Sequence, residues 1–245
     1  MKAMVLAAGL GTRLRPLTND RPKTLVEICG RTLLEITLAR LRTFGIQQVV
    51  INVHHFADRV VEYLKANNNF GMDIEISRED VLLDTGGGLK KAAYFLRDGD
   101  EAFLLHNVDV ISDIDLQRMV EFHWKRGGLA TLAVQERKTS RYLLFDQESR
   151  LCGRRLEREN KTEMIRSVPN PQAFAFCGIH VISACFLDMM GKDGVFSIID
   201  PYLRLAGQGE SIYAFRADEY YWRDLGKPEN IRQAVEDIAQ KKIVL

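Results

Sequence analysis

The sequence predicts an α/β fold built on a doubly wound, mostly parallel sheet, and three observations carry that expectation. The N-terminal half alternates β-branched runs with amphipathic segments in strand–helix–strand order. An apolar run at residues 3–8 passes directly into glycines, and a second, at 102–106, ends on Asn107-Val108-Asp109. In open sheets ligands collect beyond the carboxyl ends of the strands, so both ends mark candidate chemistry.

Taken in order, residues 3–8 have the length and composition of a buried parallel strand. The turn Gly9-Leu10-Gly11-Thr12-Arg13-Leu14 follows, its glycines allowing backbone to approach a ligand. Over 32–44, Leu33, Ile36, Leu38, Leu41 and Phe44 recur at helical spacing, and Gly45 supplies the stop. A β-branched strand at 48–53, a helix at 57–66 and a short alternating strand at 72–76 come next. Gly86, Gly87 and Gly88 then precede a helix ending near Phe95, and Asp98-Gly99-Asp100 breaks the chain before the strand at 102–106. A helix over 116–126, closed by Gly127-Gly128, leads to a strand over 129–135. From 136 to 170 the pattern weakens into charge clusters, where a short hairpin (142–145 with 151–152) and a surface loop fit. A strand over 173–182 broken by Gly178, a helix over 197–206, a strand over 211–216 and a helix over 229–241 opened by Pro228 complete the chain. No repeat, low-complexity tract or linker interrupts it, so residues 1–245 read as one domain.

The 34 basic and 33 acidic residues nearly cancel to a net charge of +1, which gives no electrostatic case for nucleic acid or anionic membrane as partner. Phosphate binding must therefore be local. Cys29, Cys152, Cys177 and Cys185 form no C-x-x-C pair and read as reduced thiols. With no cationic leader and no apolar run long enough to span a bilayer, a cytoplasmic protein is expected.

The opening loop is not a dinucleotide fingerprint, because Leu14 replaces the third glycine of G-x-G-x-x-G and Val53 is followed by His54 and His55 rather than an acid. No G-x-x-x-x-G-K-[ST] occurs. What remains is a glycine turn that offers backbone N–H groups to phosphate, with Arg13 and Lys23 to neutralise it. His54 and His55 read as loop or helix-start residues, since no further ligand lies at useful spacing.

Ala7-Ala8-Gly9-x-Gly11-Thr12-Arg13-Leu14-x-Pro16-Leu17-Thr18 with Pro22-Lys23 resembles the opening of the sugar-1-phosphate nucleotidyltransferases. Thr85-Gly86-Gly87, Asn107-x-Asp109 and Trp222-x-Asp224-x-Gly226-x-Pro228 extend the likeness over almost the whole chain. It is closest to short bacterial members of the N-acetylmuramate-1-phosphate uridylyltransferase type. The resemblance implies a Rossmann-like nucleotide-diphospho-sugar transferase fold without a C-terminal β-helix, with a sugar-binding portion near residues 136–210.

It also implies transfer of NMP from an NTP, UTP favoured, to a sugar 1-phosphate, with release of pyrophosphate. In such a reaction catalysis is positioning and charge neutralisation, and no proton-abstracting base is required. By resemblance, Asp109 and Asp224 hold Mg²⁺, and Arg13 and Lys23 are the catalytic cations. Ala8, Gly9, Gly11, Thr12, Thr85, Gly86, Gly87 and Asn107 bind nucleotide, the two neighbouring glycines lining the base pocket. Gly178 is expected by the same resemblance at the sugar phosphate, with Lys161 a candidate cation there.

One departure is the absence of the Glu-Lys-Pro that many relatives carry before the Gly178 strand; Arg154, Arg155 and Lys161 are the candidate replacements. Another is Val108, which adds bulk beside Asp109. Within the class the alternative is guanylyl transfer to mannose or heptose 1-phosphate. The alternative of another class is a catalytically silent, NDP-sugar-binding regulatory subunit, against which stand the four charged residues Arg13, Lys23, Asp109 and Asp224. The expected partners are an NTP and a sugar 1-phosphate, with the chain a monomer or homodimer.

Overall fold

The computed structural model describes residues 1–98, 101–191 and 193–245, so residues 99 and 100 of the expected break lie outside the described residues. In chain order the elements are β1 (Ala3–Leu6), β2 (Glu27–Ile28), β3 (Arg31–Thr32), α1 (Leu33–Thr43), β4 (Gln48–Val53), α2 (Ala57–Ala66), β5 (Asp73–Arg78), α3 (Asp84–Lys91) and α4 (Ala93–Arg97). They continue with β6 (Ala102–Asn107), β7 (Val110–Ser112), α5 (Leu116–Arg126), β8 (Ala130–Gln135), β9 (Arg141–Phe145), β10 (Leu151–Leu156) and β11 (Lys161–Met164). The last are β12 (Gln172–Ser183), α6 (Phe186–Met189), α7 (Ile199–Gly207), β13 (Ile212–Arg216), β14 (Trp222–Asp224) and α8 (Pro228–Ala239).

The expected doubly wound architecture is present. β5, β4, β1 and β6 lie side by side in parallel, and β12 then runs antiparallel to β6, leading through β9 and β10 to the edge strand β11. Alternation along β1 explains why both faces are covered: Ala3 and Val5 enter the core shared with α1 and α2, whereas Met4 enters the core shared with α3 and α7. The register aligns Leu6 with Asn52 on one side and with Asn107 on the other. Three strands therefore end together, and the glycine turn, Asn52 and Asn107 share one rim. No described helix is long and apolar enough to cross a membrane.

Three expectations change. β1 stops at Leu6 rather than running to residue 8, because the Ala7 amide leaves the ladder and donates to Asn52 Oδ1 at 2.7 Å. The three glycines sit inside α3 rather than before it, and the helical segment breaks at Ala92 into α3 and α4. The region read as a short hairpin and surface loop is a three-stranded antiparallel unit, β9–β10–β11. Its outer pair is matched by charge, Arg154 opposite Glu163 with 2.8 Å between Nε and Oε2, so apolar periodicity does not report it.

Candidate active site

The turn after β1 is tied to the sheet by a buried polar chain. Asn52 accepts from the Ala7 amide, its Nδ2 donates to Glu79 Oε1 at 2.7 Å, and Glu79 Oε2 accepts from the Leu83 amide at 2.9 Å. Asn52 and Glu79 are both buried. Gly11 then turns the chain at φ +65°, and Thr18 Oγ1 donates to its carbonyl at 2.9 Å. A Cβ at Gly11 would stand 3.0 Å from both Lys23 Cβ and Thr18 Cγ2, so glycine lets the turn close onto Lys23.

Lys23 Nζ is ion-paired with the Asp109 carboxylate, and the two side chains are only 12% and 13% exposed. Asp109 follows β6, and its carbonyl accepts from the Leu225 amide at 2.7 Å. Antiparallel pairing of β7 with β14 sets Asp224 opposite Val110, so the carboxylates 109 and 224 occupy adjacent rungs. Asp224 Oδ1 accepts from the Gly226 amide at 2.9 Å. A Cβ on Gly226 would lie 2.8 Å from an Arg13 guanidinium nitrogen and 2.9 Å from Asp224 Oδ1. Arg13, Asp224 and Gly226 are therefore packed together although more than two hundred residues separate the first from the others.

Two cavities meet here, with Asn107 lining both. The first, about 380 Å³, is bounded by Ala7, Ala8, Gly9, Lys23 and Asp109 and by Leu82, Asp84, Thr85 and Val195. The second, about 830 Å³, takes in Arg13, Gly178, Trp222, Asp224 and a set of further cations. Its floor is a bulge: the register between β12 and β8 shifts between Phe176 and His180, and Gly178 sits at φ +75°. The exposed carbonyls are used, Trp222 Nε1 donating to Cys177 O at 2.7 Å and Arg137 to Phe176 O at 2.7 Å. The Arg137 guanidinium lies 3.8 Å from the centre of the Trp222 ring, and burial pulls its pKa below the usual arginine value. Burial also pushes the Cys177 thiol up to about 12, so it stays protonated.

The expected site residues fall into three groups. Ala8, Gly9, Lys23, Thr85, Asn107 and Asp109 line the first cavity, and Arg13, Asn107, Gly178 and Asp224 line the second. Gly11 and Thr12 form the turn between them, Thr12 opening a single helical turn. Gly86 and Gly87 do not line either cavity; the Gly86 amide donates to Phe196 O at 2.9 Å. A Cβ at Gly86 would stand 2.4 Å from the Phe196 ring, and one at Gly87 2.2 Å from Gly194 O. These glycines are demanded by helix packing, and Asp84 and Thr85 form that wall of the cavity instead.

Lys161 is exposed on β11, paired with Leu156, and lines neither cavity. Arg154 is held by Glu163 and Asp200, and Arg155 by Glu157 at 2.8 Å. The cations that do line the second cavity beyond Arg13 are Arg137, Lys138, Arg141, Arg158 and Lys227. Sequence reasoning missed them, along with Asn52, Glu79 and Asp84; the one local signal was three basic residues within positions 137–141.

Fold and site together define an α/β protein with a glycine turn and two cations, Arg13 and Lys23, at its strand ends and one carboxylate, Asp109 or Asp224, in each of two cavities that share Asn107. The chain belongs to the nucleotidyl transferase family, which residues 2–241 match. It is 34% identical over 240 residues to an N-acetylmuramate alpha-1-phosphate uridylyltransferase of Caulobacter vibrioides, covering 93% of this chain and 92% of that protein. It is 29% identical to a UTP–glucose-1-phosphate uridylyltransferase of Synechocystis, covering 99% of this chain but only 64% of the relative's length. Among solved structures, HddC from Yersinia pseudotuberculosis complexed with GMP-PN superimposes with a TM-score of 0.76 over 97% of this chain and 99% of that one, at 22% identity.

Proposed function

We propose that the protein transfers an NMP, from UTP in preference to other NTPs, to a sugar 1-phosphate and releases pyrophosphate. The observation that carries this reading is a carboxylate in each of two cavities that share Asn107, Asp109 in the first and Asp224 in the second, on adjacent rungs of the backbone. Such a layout lets two phosphate-bearing substrates meet where charge can be neutralised. The uridylyl activities in the names of the Caulobacter and Synechocystis relatives favour UTP.

In the transfer, an oxygen of the sugar phosphate forms the new bond to the α-phosphorus while the bond to the β-phosphate oxygen breaks. The first cavity takes the nucleotide, with the Gly9 amide and its turn toward the phosphates. The Asn52–Glu79 pair holds that turn in register with the helix carrying Thr85. Lys23 supplies positive charge beside Asp109, and Arg13 supplies it beside Asp224.

Two carboxylates offer hard oxygen donors suited to Mg²⁺, and no group of three or more candidate protein ligands exists among the described residues. Asp109 and Asp224 would hold the ion, with water and substrate oxygens completing its shell. Bound there, it would neutralise phosphate charge at the junction. The four free thiols accord with a cytoplasmic location. We take the chain to act as a monomer or homodimer.

Pyrophosphate release, measured across UTP, GTP, CTP, ATP and dTTP with a panel of sugar 1-phosphates, tests the reading. Turnover that needs Mg²⁺ and favours UTP supports it. No turnover with any pair overturns it.

A further inference from the structure

The second cavity is more than twice the volume of the first, about 830 Å³ against about 380 Å³, and six cationic side chains face one carboxylate in its lining. The cations are Arg13, Arg137, Lys138, Arg141, Arg158 and Lys227, and the carboxylate is Asp224. The whole chain carries a net charge of only +1, so this concentration does not follow from basic composition. From it we infer that the sugar 1-phosphate bears a second anionic group, a carboxylate or a further phosphate, which the cations of the sugar side bind. The inference rests on the transfer reading above and narrows its substrate class.

Pairing elsewhere on the surface makes the contrast. Arg154, Arg166 and Arg216, close by in sequence or space, each have a carboxylate partner. Among the described residues Lys138, Arg141 and Arg158 have no ion-pair partner, and Lys227 has only Glu229 at 3.8 Å. Arg137 is anchored by Trp222 and the Phe176 carbonyl, yet its Nε is buried without a hydrogen-bond partner. Unpaired like charges held in one cleft repel one another, a cost that an anionic occupant relieves.

The six cations come from separate parts of the fold. Arg13 stands with Asp224 and Gly226, on the elements that carry the transfer chemistry. Lys138, Arg141 and Arg158 come from a different part of the fold. Arg141 opens β9 and pairs with Leu156 at the end of β10, and Arg158 follows in the next turn. These cations gather at one end of the β9–β10 hairpin, and the planar forks of the arginines match carboxylate and phosphate alike.

The test compares matched substrates with the wild-type protein. N-acetylglucosamine 1-phosphate is set against N-acetylmuramate 1-phosphate, which adds a lactyl carboxylate. Glucose 1-phosphate is set against glucuronate 1-phosphate and glucose 1,6-bisphosphate. The expected result is a kcat/KM at least about tenfold higher for one charged member than for its neutral counterpart, the size of a charge-assisted hydrogen bond. The carboxylate and bisphosphate arms identify which anion is read. Arg141→Gln, Arg158→Gln and Lys138→Gln, each checked for an unchanged melting curve, are expected to collapse that ratio towards one. Equal use of neutral and charged members, or a preference that survives all three substitutions, overturns the inference while leaving the transfer reading intact. Failure of every pair to turn over overturns both.

Discussion

Gly178→Ala perturbs the bulge that floors the second cavity in a way whose size can be worked out beforehand. Gly178 has φ +75°, and placing an L-residue in the left-handed region costs about 1–2 kcal/mol. The new Cβ would also stand 2.7 Å from Asn107 Nδ2, 3.0 Å from Asn107 Cγ and 3.2 Å from Val110 Cγ2. Forcing a methyl into such a space adds about 1–3 kcal/mol, giving about 2–5 kcal/mol in all. Gly30→Ala is the control, because Gly30 has φ +78° with nothing within 4 Å and should lose only the backbone component. Urea unfolding of the three proteins, at matched slopes, gives the difference. Because Asn107 lines both cavities, Gly178→Ala should also lower kcat/KM for pyrophosphate release, whereas Gly30→Ala should not. If the two variants lose the same stability, the close approach of Gly178 to Asn107 is not a real constraint. If kcat/KM is unaffected in a folded Gly178→Ala protein, Asn107 has no part in binding.

Asp109→Asn and Asp224→Asn should each lower kcat on the order of a hundredfold or more and weaken Mg²⁺ binding; unchanged Mg²⁺ titrations would remove the metal assignment. Glu79→Gln puts an amide N–H where an acceptor is needed for Asn52 or Leu83, so KM for the NTP should rise by about tenfold with less change in KM for the sugar phosphate. An unaltered KM for the NTP would mean that the buried pair does not position the nucleotide loop. Burial holds His106 at about 4 and His180 at about 3, below the ordinary 6.5. Both are neutral in the folded chain, while the unfolded chain takes up protons below about pH 6.5. Stability should therefore be full above that value and fall as pH drops towards 4 and then 3, and a urea midpoint that stays flat from pH 6.5 to 5 would contradict it.

Much of the architecture is legible because it is written locally. A β-branched run marks β4, two-residue alternation marks β5, helical spacing marks α1, and Pro228 marks the start of α8, each within a dozen residues. The first turn and Asn107-x-Asp109 are legible for the same reason: a glycine run or an acid directly after an apolar strand announces a strand end. Gly86 and Gly87 show where this stops. Their small size is visible in the sequence, but the atoms that require it belong to Phe196 and Gly194, more than a hundred residues away.

The opening turn, the two acids and the α/β order follow from the chain read residue by residue, because strand and turn formation depend on near neighbours. Tertiary contacts, in contrast, join residues far apart, and only they set Asp224 one rung from Asp109, Arg13 beside Gly226, and Glu79 onto Asn52. Lys138, Arg141 and Arg158 belong to the same category. Charge on a hairpin is consistent with a solvated face or a ligand cleft, and only the folded chain sets these side chains around one cavity where, among the described residues, they have no ion-pair partner, the arrangement on which the proposal of an anionic occupant rests.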